Sequence, residues 1–373
     1  MDIPPFALER YFGKYEFSAP YMLSAADCET WTPGELFAME EGSRDAFCSM
    51  RLLYTESQGD PALRDEIAAV TGGGIGAEDC VVFAGAEEAI FITMHALLSP
   101  GDHAVVLFPA YQSLHEVARH VGAEVSFWQL HEEEEGWRPR MDELRALIRA
   151  ETRCIVVNTP HNPTGFHFTA AEMAELIAIA AEHDLWLFCD EVYRFGEYDP
   201  ASLLPAVASR YAKGISVGVM SKSFGLAGLR LGWIATQDED LLSRILAWKD
   251  YTTICTSAPA EFLSGIALRH ADTIIERNRA VINENLTLLR DFFARHRDCF
   301  QWVEPKAGPV CFPRYLGEEG AEAFCATLIR EAGVILLPST AFGAGDAHIR
   351  FGFGRRDMVP ALAVLDEYLG KKN

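Results

Sequence analysis

The residues Ser221-Lys222-Ser223-Phe224-Gly225-Leu226-Ala227-Gly228-Leu229-Arg230-Leu231-Gly232-Trp233 place a lysine just after an apolar run, in a loop with three glycines. Lysines are normally solvated, but the carboxyl edge of a parallel sheet is the usual ligand crevice. A desolvated amine there is a nucleophile towards a carbonyl carbon. Arg230 lies eight residues on, near enough to converge on one anion. Taken alone, this stretch reads equally well as a surface loop. Two further segments bear on it. In Thr159-Pro160-His161-Asn162-Pro163-Thr164-Gly165, two prolines and a glycine fix a rigid turn that can aim the Asn162 side chain. In Asp190-Glu191-Val192-Tyr193, an acid ends an apolar run, which is costly unless a cation pairs with it. Three consecutive strand ends thus offer an Asn, an Asp with a Tyr, and a Lys with an Arg.

The elements that must hold these residues follow from the pattern. Apolar, β-branched runs at 80–84, 103–108, 124–129, 154–158, 185–189 and 215–220 predict strands. Helical patterns at 85–98, 142–150 and 170–182 separate several of them, which indicates a mostly parallel sheet buried on both faces. After about residue 236 the pattern changes. Residues 238–248 and 258–295 read as helix, the second with breaks. Then come strand-like 300–313, a helix near 322–332, strand-like 334–337 and 348–353, and a helix at 358–369. This suits a smaller α+β unit. The first 45 or so residues carry Pro4, Pro5, Pro20 and Pro33 and read as an arm, or as part of that smaller unit.

Composition excludes several classes. Of 373 residues, 49% are hydrophobic and 23% charged, which is globular composition. The formal net charge of −22 disfavours nucleic acid and an anionic membrane surface as partners. Nine cysteines, none closer than twelve residues to another, form no zinc or disulfide framework and read as free thiols of a reducing cytosol. No metal site is expected. Met1-Asp2-Ile3-Pro4-Pro5 lacks a basic or apolar leader pattern, and no apolar run is long enough for a membrane helix. The expected location is cytoplasmic.

The three strand-end segments resemble the class I/II aminotransferases, the fold-type I enzymes that use pyridoxal 5′-phosphate (PLP). The resemblance runs from Tyr54 to Arg350 with the motifs in family order, and it speaks for the superfamily more strongly than for the reaction. It implies an α/β fold: a mostly parallel sheet of the seven-stranded type flanked by helices, plus a smaller α+β domain. The implied division is an N-terminal arm that joins the small domain (1–45), a large PLP-binding domain (46–284) and a small C-terminal domain (285–373). By matched position, Lys222 would form the internal aldimine with PLP and later act as base. Asp190 would pair with the pyridinium nitrogen, and Asn162 and Tyr193 would hydrogen-bond the ring 3′-oxygen. Arg230 would bind the phosphate, with Ser221 and the amides of Gly85-Ala86-Glu87 at a helix N-terminus. Tyr111 matches the aromatic stacked on the ring. Tyr54, followed by Gly59, Leu63 and Arg64, matches a tyrosine that reaches the neighbouring subunit's phosphate, which implies a homodimer with shared active sites. Arg350, helped by Asn162, matches the arginine that grips the substrate α-carboxylate. The implied reaction moves an α-amino group between an L-amino acid and a 2-oxo acid.

Some positions depart from the family pattern. Val219 stands where a serine is common, three residues before the lysine, which would leave the phosphate cup one ligand short. Glu87 stands where Ser, Thr or Gln is common, and its carboxylate is expected to turn away. The stretch Leu23-Ser24-Ala25-Ala26-Asp27-Cys28-Glu29 replaces a glycine-containing one. Its Asp27 and Glu29 either meet a basic substrate side chain or form a solvated loop. Glu132–135 reads as a solvated loop or hairpin tip, and Gly72–76 as a plain loop, since it precedes a strand instead of following one. The competing reading is a same-fold PLP lyase, or a β/γ-replacement or cyclising enzyme like the capreomycidine synthases, whose substrate is an arginine derivative. A regulator with an aminotransferase-like sensor domain would need a helix-turn-helix, and residues 1–45 are too short and too proline-rich for one.

Overall fold

The computed structural model describes residues 3–372. Helix α1 (Ala7–Tyr15) and the short strand β1 (Tyr21–Met22) come first. The main sheet follows in chain order: β2 (Cys80–Phe83), β3 (His103–Phe108), β4 (Glu124–Glu133), β5 (Gly136–Pro139), β6 (Thr152–Asn158), β7 (Trp186–Asp190), β8 (Gly214–Val219) and β9 (Gly232–Ala235). Their spatial order is β2-β9-β8-β7-β6-β3-β4-β5. The inner pairs β8·β7, β7·β6, β6·β3 and β3·β4 are parallel, while β9 and β5 run antiparallel to their neighbours. Period-two alternation feeds two cores. Cys154 and Val156 of β6 join one apolar cluster with Phe188 and Ile215, while Ile155 and Val157 join the other with Leu187 and Leu176. The helix Ala86–Leu97 covers the first face, and Ala170–Glu182 covers the second.

The C-terminal part is built around Ala271–Arg295, Ala321–Ala332 and Met358–Lys372 with a three-stranded antiparallel sheet of Val310–Cys311, Ile349–Gly352 and Leu337–Pro338. Phe292, Phe324, Phe351 and Leu365 centre its core. The N-terminal segment touches both parts. β1 pairs in parallel with Val334–Ile335, and Leu23 joins the C-terminal core. Leu8 of α1 instead packs in the cluster under the main sheet.

Several expectations need correction. The main sheet has eight strands, not seven, because β4 runs on past residue 129 and folds back through β5 as an antiparallel hairpin. The tip of that hairpin is narrower than 132–135. Glu132 lies in the ladder, and its Oε2 accepts from Arg314 and from His348 Nε2 (3.1 Å). Strand structure across 300–313 shrinks to Phe300–Gln301 and Val310–Cys311, since Pro305, Pro309 and Gly308 at φ +79° interrupt it. The break expected within 258–295 falls at His270, between Ala258–Arg269 and Ala271–Arg295. β9 was not anticipated, nor were the helices Pro33–Met39, Ser43–Ser49 and Pro61–Thr71. All nine cysteines are free, and six are buried.

Candidate active site

Register brings the polar residues together. Asn158, the last residue of β6, pairs with Asp190, the last of β7, and Asp190 pairs with Val217 of β8. The chain then leaves β8 at Val219, passes through Lys222 and Arg230, and returns as β9. Lys222, Asp190, Asn162, Tyr193 and Arg230 therefore line one cavity of about 400 Å³.

Asp190 is 4% exposed. Its Oδ1 accepts from the Val192 amide (3.2 Å), and burial raises its carboxyl to about 7, against the lowering pull of that amide and of Lys222. Lys222 Nζ lies 5.7 Å from the centre of the Tyr193 ring. Burial likewise raises the Tyr193 phenol, while Lys222 and Arg350 pull it down. Asn158 was not singled out from sequence, yet it frames the site. Its Nδ2 donates to the Asp190 carbonyl (2.9 Å), and its Oδ1 accepts from the Asn162 amide (2.7 Å). A polar residue ending an otherwise apolar strand was the available signal.

Arg350 is 2% exposed. Nη1 donates to Asn162 Oδ1 (3.0 Å) and Nη2 to the Ser24 carbonyl (2.8 Å), while Nε has no partner. The rings of Phe342 and Phe12 lie 5.6 and 5.8 Å from its guanidinium carbon. The guanidinium is thus fixed in orientation with donor capacity left over, which suits a carboxylate ligand.

Arg230 reaches the start of Ala86–Leu97. Gly85 has φ +94°, and a Cβ there would come within 2.6 Å of Arg230 Nη2. Arg230 itself has φ +48° and donates from Nη1 to the Ala227 carbonyl (3.0 Å). Ser221 lines the same cavity. Val219 lines it too and brings no donor. Glu87 lines the cavity, its Oε2 accepts from Ser113 Oγ (3.2 Å), which lies outside that lining, and burial raises the carboxyl to about 7. Tyr111 donates to Glu9 Oε1 (3.1 Å) and meets the Phe6 ring at 4.9 Å. Asp27 lines the cavity, whereas Glu29 turns to accept from the Arg356 amide (2.8 Å). Tyr54 is 91% exposed and lies outside this cavity. Among the described residues no cluster of His, Cys, Asp and Glu could hold a metal, and no helix is long and apolar enough to cross a membrane.

The profile of the family "Aminotransferase class I and II" matches residues 37–364. The chain belongs to this family. Among curated relatives, this aminotransferase-family chain is 30% identical to the capreomycidine synthase of Streptomyces vinaceus over 99% of its own length and 94% of the relative. It is also 30% identical to the arginine–pyruvate transaminase of Pseudomonas aeruginosa, over 89% and 84%. Among solved structures it superposes on a PLP-dependent aminotransferase from Streptococcus suis with TM-score 0.93, 31% identity and coverage of 100% and 99%. A PLP-dependent cyclase, OrfR, gives TM-score 0.90 at 28% identity, covering 99% and 98%. The fold is fold-type I and the cofactor of the family is PLP. The residues present fit that group. A buried acid suits a cationic ring nitrogen, and Gly85 admits the Arg230 guanidinium to the start of a helix, where a phosphate would meet both.

Proposed function

We propose that the protein is an aminotransferase that moves the α-amino group between an L-amino acid and a 2-oxo acid, with Lys222 joined to the PLP aldehyde. The observation that carries this reading is the convergence of Lys222, Asp190 and Asn162 on one cavity, with Arg350 bonded to Asn162 behind its wall. When bound, PLP supplies the electron sink for the carbon that loses its proton. Asp190, desolvated, would favour a cationic ring nitrogen and hold its proton. Asn162 Nδ2 and the Tyr193 hydroxyl would serve the ring 3′-oxygen. The amides of Gly85, Ala86 and Glu87, with Ser221 and Arg230, would hold the phosphate. Tyr111 would pack against the ring. Arg350, clamped by Asn162 and the Ser24 carbonyl, takes the substrate carboxylate and orients the α-C–H bond. Once the substrate amino group has displaced it from the aldehyde carbon, the free Lys222 amine would be the group in reach to take the α-proton.

Tyr54 is assigned to the phosphate of a second copy, in a cytoplasmic homodimer. A second reading, a cyclising or eliminating PLP enzyme, is favoured by the likeness to a capreomycidine synthase over 99% of the chain. An amino-acid panel with and without 2-oxoglutarate or pyruvate separates the two. Consumption of acceptor in one-to-one ratio with new 2-oxo acid is expected. A cyclic or ammonia-releasing product formed without acceptor would move the chain to the second reading.

A further inference from the structure

We propose that this cavity selects a substrate with a cationic side chain, a guanidinium or an ammonium, and that Asp27, Glu16 and Glu9 are its receptors. The inference rests on the reading above for the carboxylate end of the substrate and adds the other end.

Charge is the first observation. Five carboxylates line the cavity, those of Glu9, Glu16, Asp27, Glu87 and Asp190, against the two cations Lys222 and Arg230. Asp190 and Arg230 have partners in the cofactor, and Glu87 is bonded to Ser113. With Lys222 engaged by the cofactor and Arg350 by the substrate carboxylate on that reading, Glu9, Glu16 and Asp27 are left facing Arg355, which pairs with Asp27. An anionic side chain brought here would meet net repulsion and a cationic one net attraction.

The second observation is an unfilled acceptor. Asp27 Oδ2 accepts from Arg355 (2.5 Å), but Oδ1 is buried without a hydrogen-bond partner. A buried carboxylate oxygen left unpaired is costly, and a ligand N–H removes that cost. The Glu16 carboxyl is raised by burial, lowered by Arg355, and raised again by Asp27 and Glu9, so the three acids share one electrostatic neighbourhood that Lys222 also reaches. Glu9 is tied to the ring site by the Tyr111 hydroxyl.

Reach is the third. Ser24 holds Arg350 through its carbonyl, and Asp27 is three residues further on, at most about 11 Å along the chain. One short segment therefore links the residue that holds the carboxylate receptor to the unfilled acceptor. Asp27 was noted from sequence together with Glu29. The structure keeps Asp27, removes Glu29 and adds two acids from α1 and its C-terminal edge.

The test uses holoenzyme and ligands that cannot react. Binding of 5-guanidinopentanoate, which is arginine without its α-amino group, is compared calorimetrically with hexanoate and adipate. The guanidino acid is expected to bind at least about tenfold more tightly than hexanoate, and adipate most weakly. Glu16→Gln, at an exposed position that leaves folding undisturbed, should lower the guanidino/hexanoate ratio about threefold. Glu16→Gln with Asp27→Asn should lower it at least about tenfold, with a parallel fall in the kcat/KM ratio of L-arginine to L-norleucine. Equal binding of the three acids, tightest binding of adipate, or an unchanged ratio in Glu16→Gln and the double variant would overturn the proposal. Because these ligands carry no α-amino group, the binding ratio stands or falls apart from the reaction type. Failure to transaminate would sink the reaction and leave the charge selection intact.

Discussion

At the scale of single residues, Asp190 stands out because burial raises its carboxyl even against the pull of Lys222. Its carboxyl and that of Glu197, another buried acid, are both pushed to about 7 by burial. In the unfolded chain such groups titrate near about 4. Between those values the folded state holds protons that the unfolded state has released. The contribution of these two groups to the stability of cofactor-free protein should therefore fall as pH rises from 4 to 7, by at most about 1.4 kcal/mol per pH unit for each group, against the opposite slope of buried histidines such as His161. Thermal unfolding of the cofactor-free form between pH 6 and 8 reads that slope. Asp190→Asn should flatten part of that slope and lose most turnover. Identical slopes in the two proteins would remove Asp190 from this role. Lys222 is tested separately. Borohydride should fix the cofactor to the peptide bearing residue 222, and Lys222→Ala should yield no fixed cofactor. A labelled peptide in that variant would place the reactive amine elsewhere.

At the scale of elements, strand register does the positioning. Asn158, Asp190 and Val217 occupy adjoining rungs, and the β8–β9 return carries Lys222 and Arg230 across the same edge. Gly85 lets the first turn of Ala86–Leu97 approach Arg230. Gly85→Ala adds a Cβ at φ +94°, where strain for a non-glycine residue is about 1–3 kcal/mol, and crowds Nη2. Its affinity for PLP, measured by fluorescence titration, should fall about tenfold or more, and an unchanged affinity would refute that role for Gly85. Much of this was legible in sequence because buried parallel strands are continuous apolar runs and their ends are marked by the first polar residues. β9 was not, because Gly232 and Trp233 read as the tail of the lysine motif. The helices at 33–39 and 61–71 were missed although their start signals were present. Thr32 and Glu35 form a reciprocal cap, and Asp60 precedes Pro61. The pairing of Arg350 with Asn162 and the entry of Glu9 into the site had no local pattern to betray them, since these contacts span 188 and 102 residues.

At the scale of the whole molecule, two adjoining segments expose large apolar side chains. Leu52, Leu53 and Tyr54 lie on one, and Tyr251 (91% exposed) and Ile254 on the other. The segments are stapled together by buried Lys249, whose Nζ donates to the carbonyls of Ser57 (2.5 Å) and Ile254 (2.9 Å). An apolar strip of this kind beside Tyr54 is what a homodimer would cover. Leu53→Glu with Tyr251→Glu should give monomers by sedimentation and weaken cofactor retention with them. A dimer that survives both changes would place the contact elsewhere. The segment from α1 to Glu29 has a different consequence. It supplies Glu9, Glu16 and Asp27 from outside the strands that lead to Asp190 and Lys222. On the reading proposed above, this one segment would serve substrate choice through its acids and carboxylate positioning through Ser24, which holds Arg350. Exchange of the leading thirty or so residues between relatives is a route by which one catalytic engine could acquire a new diet.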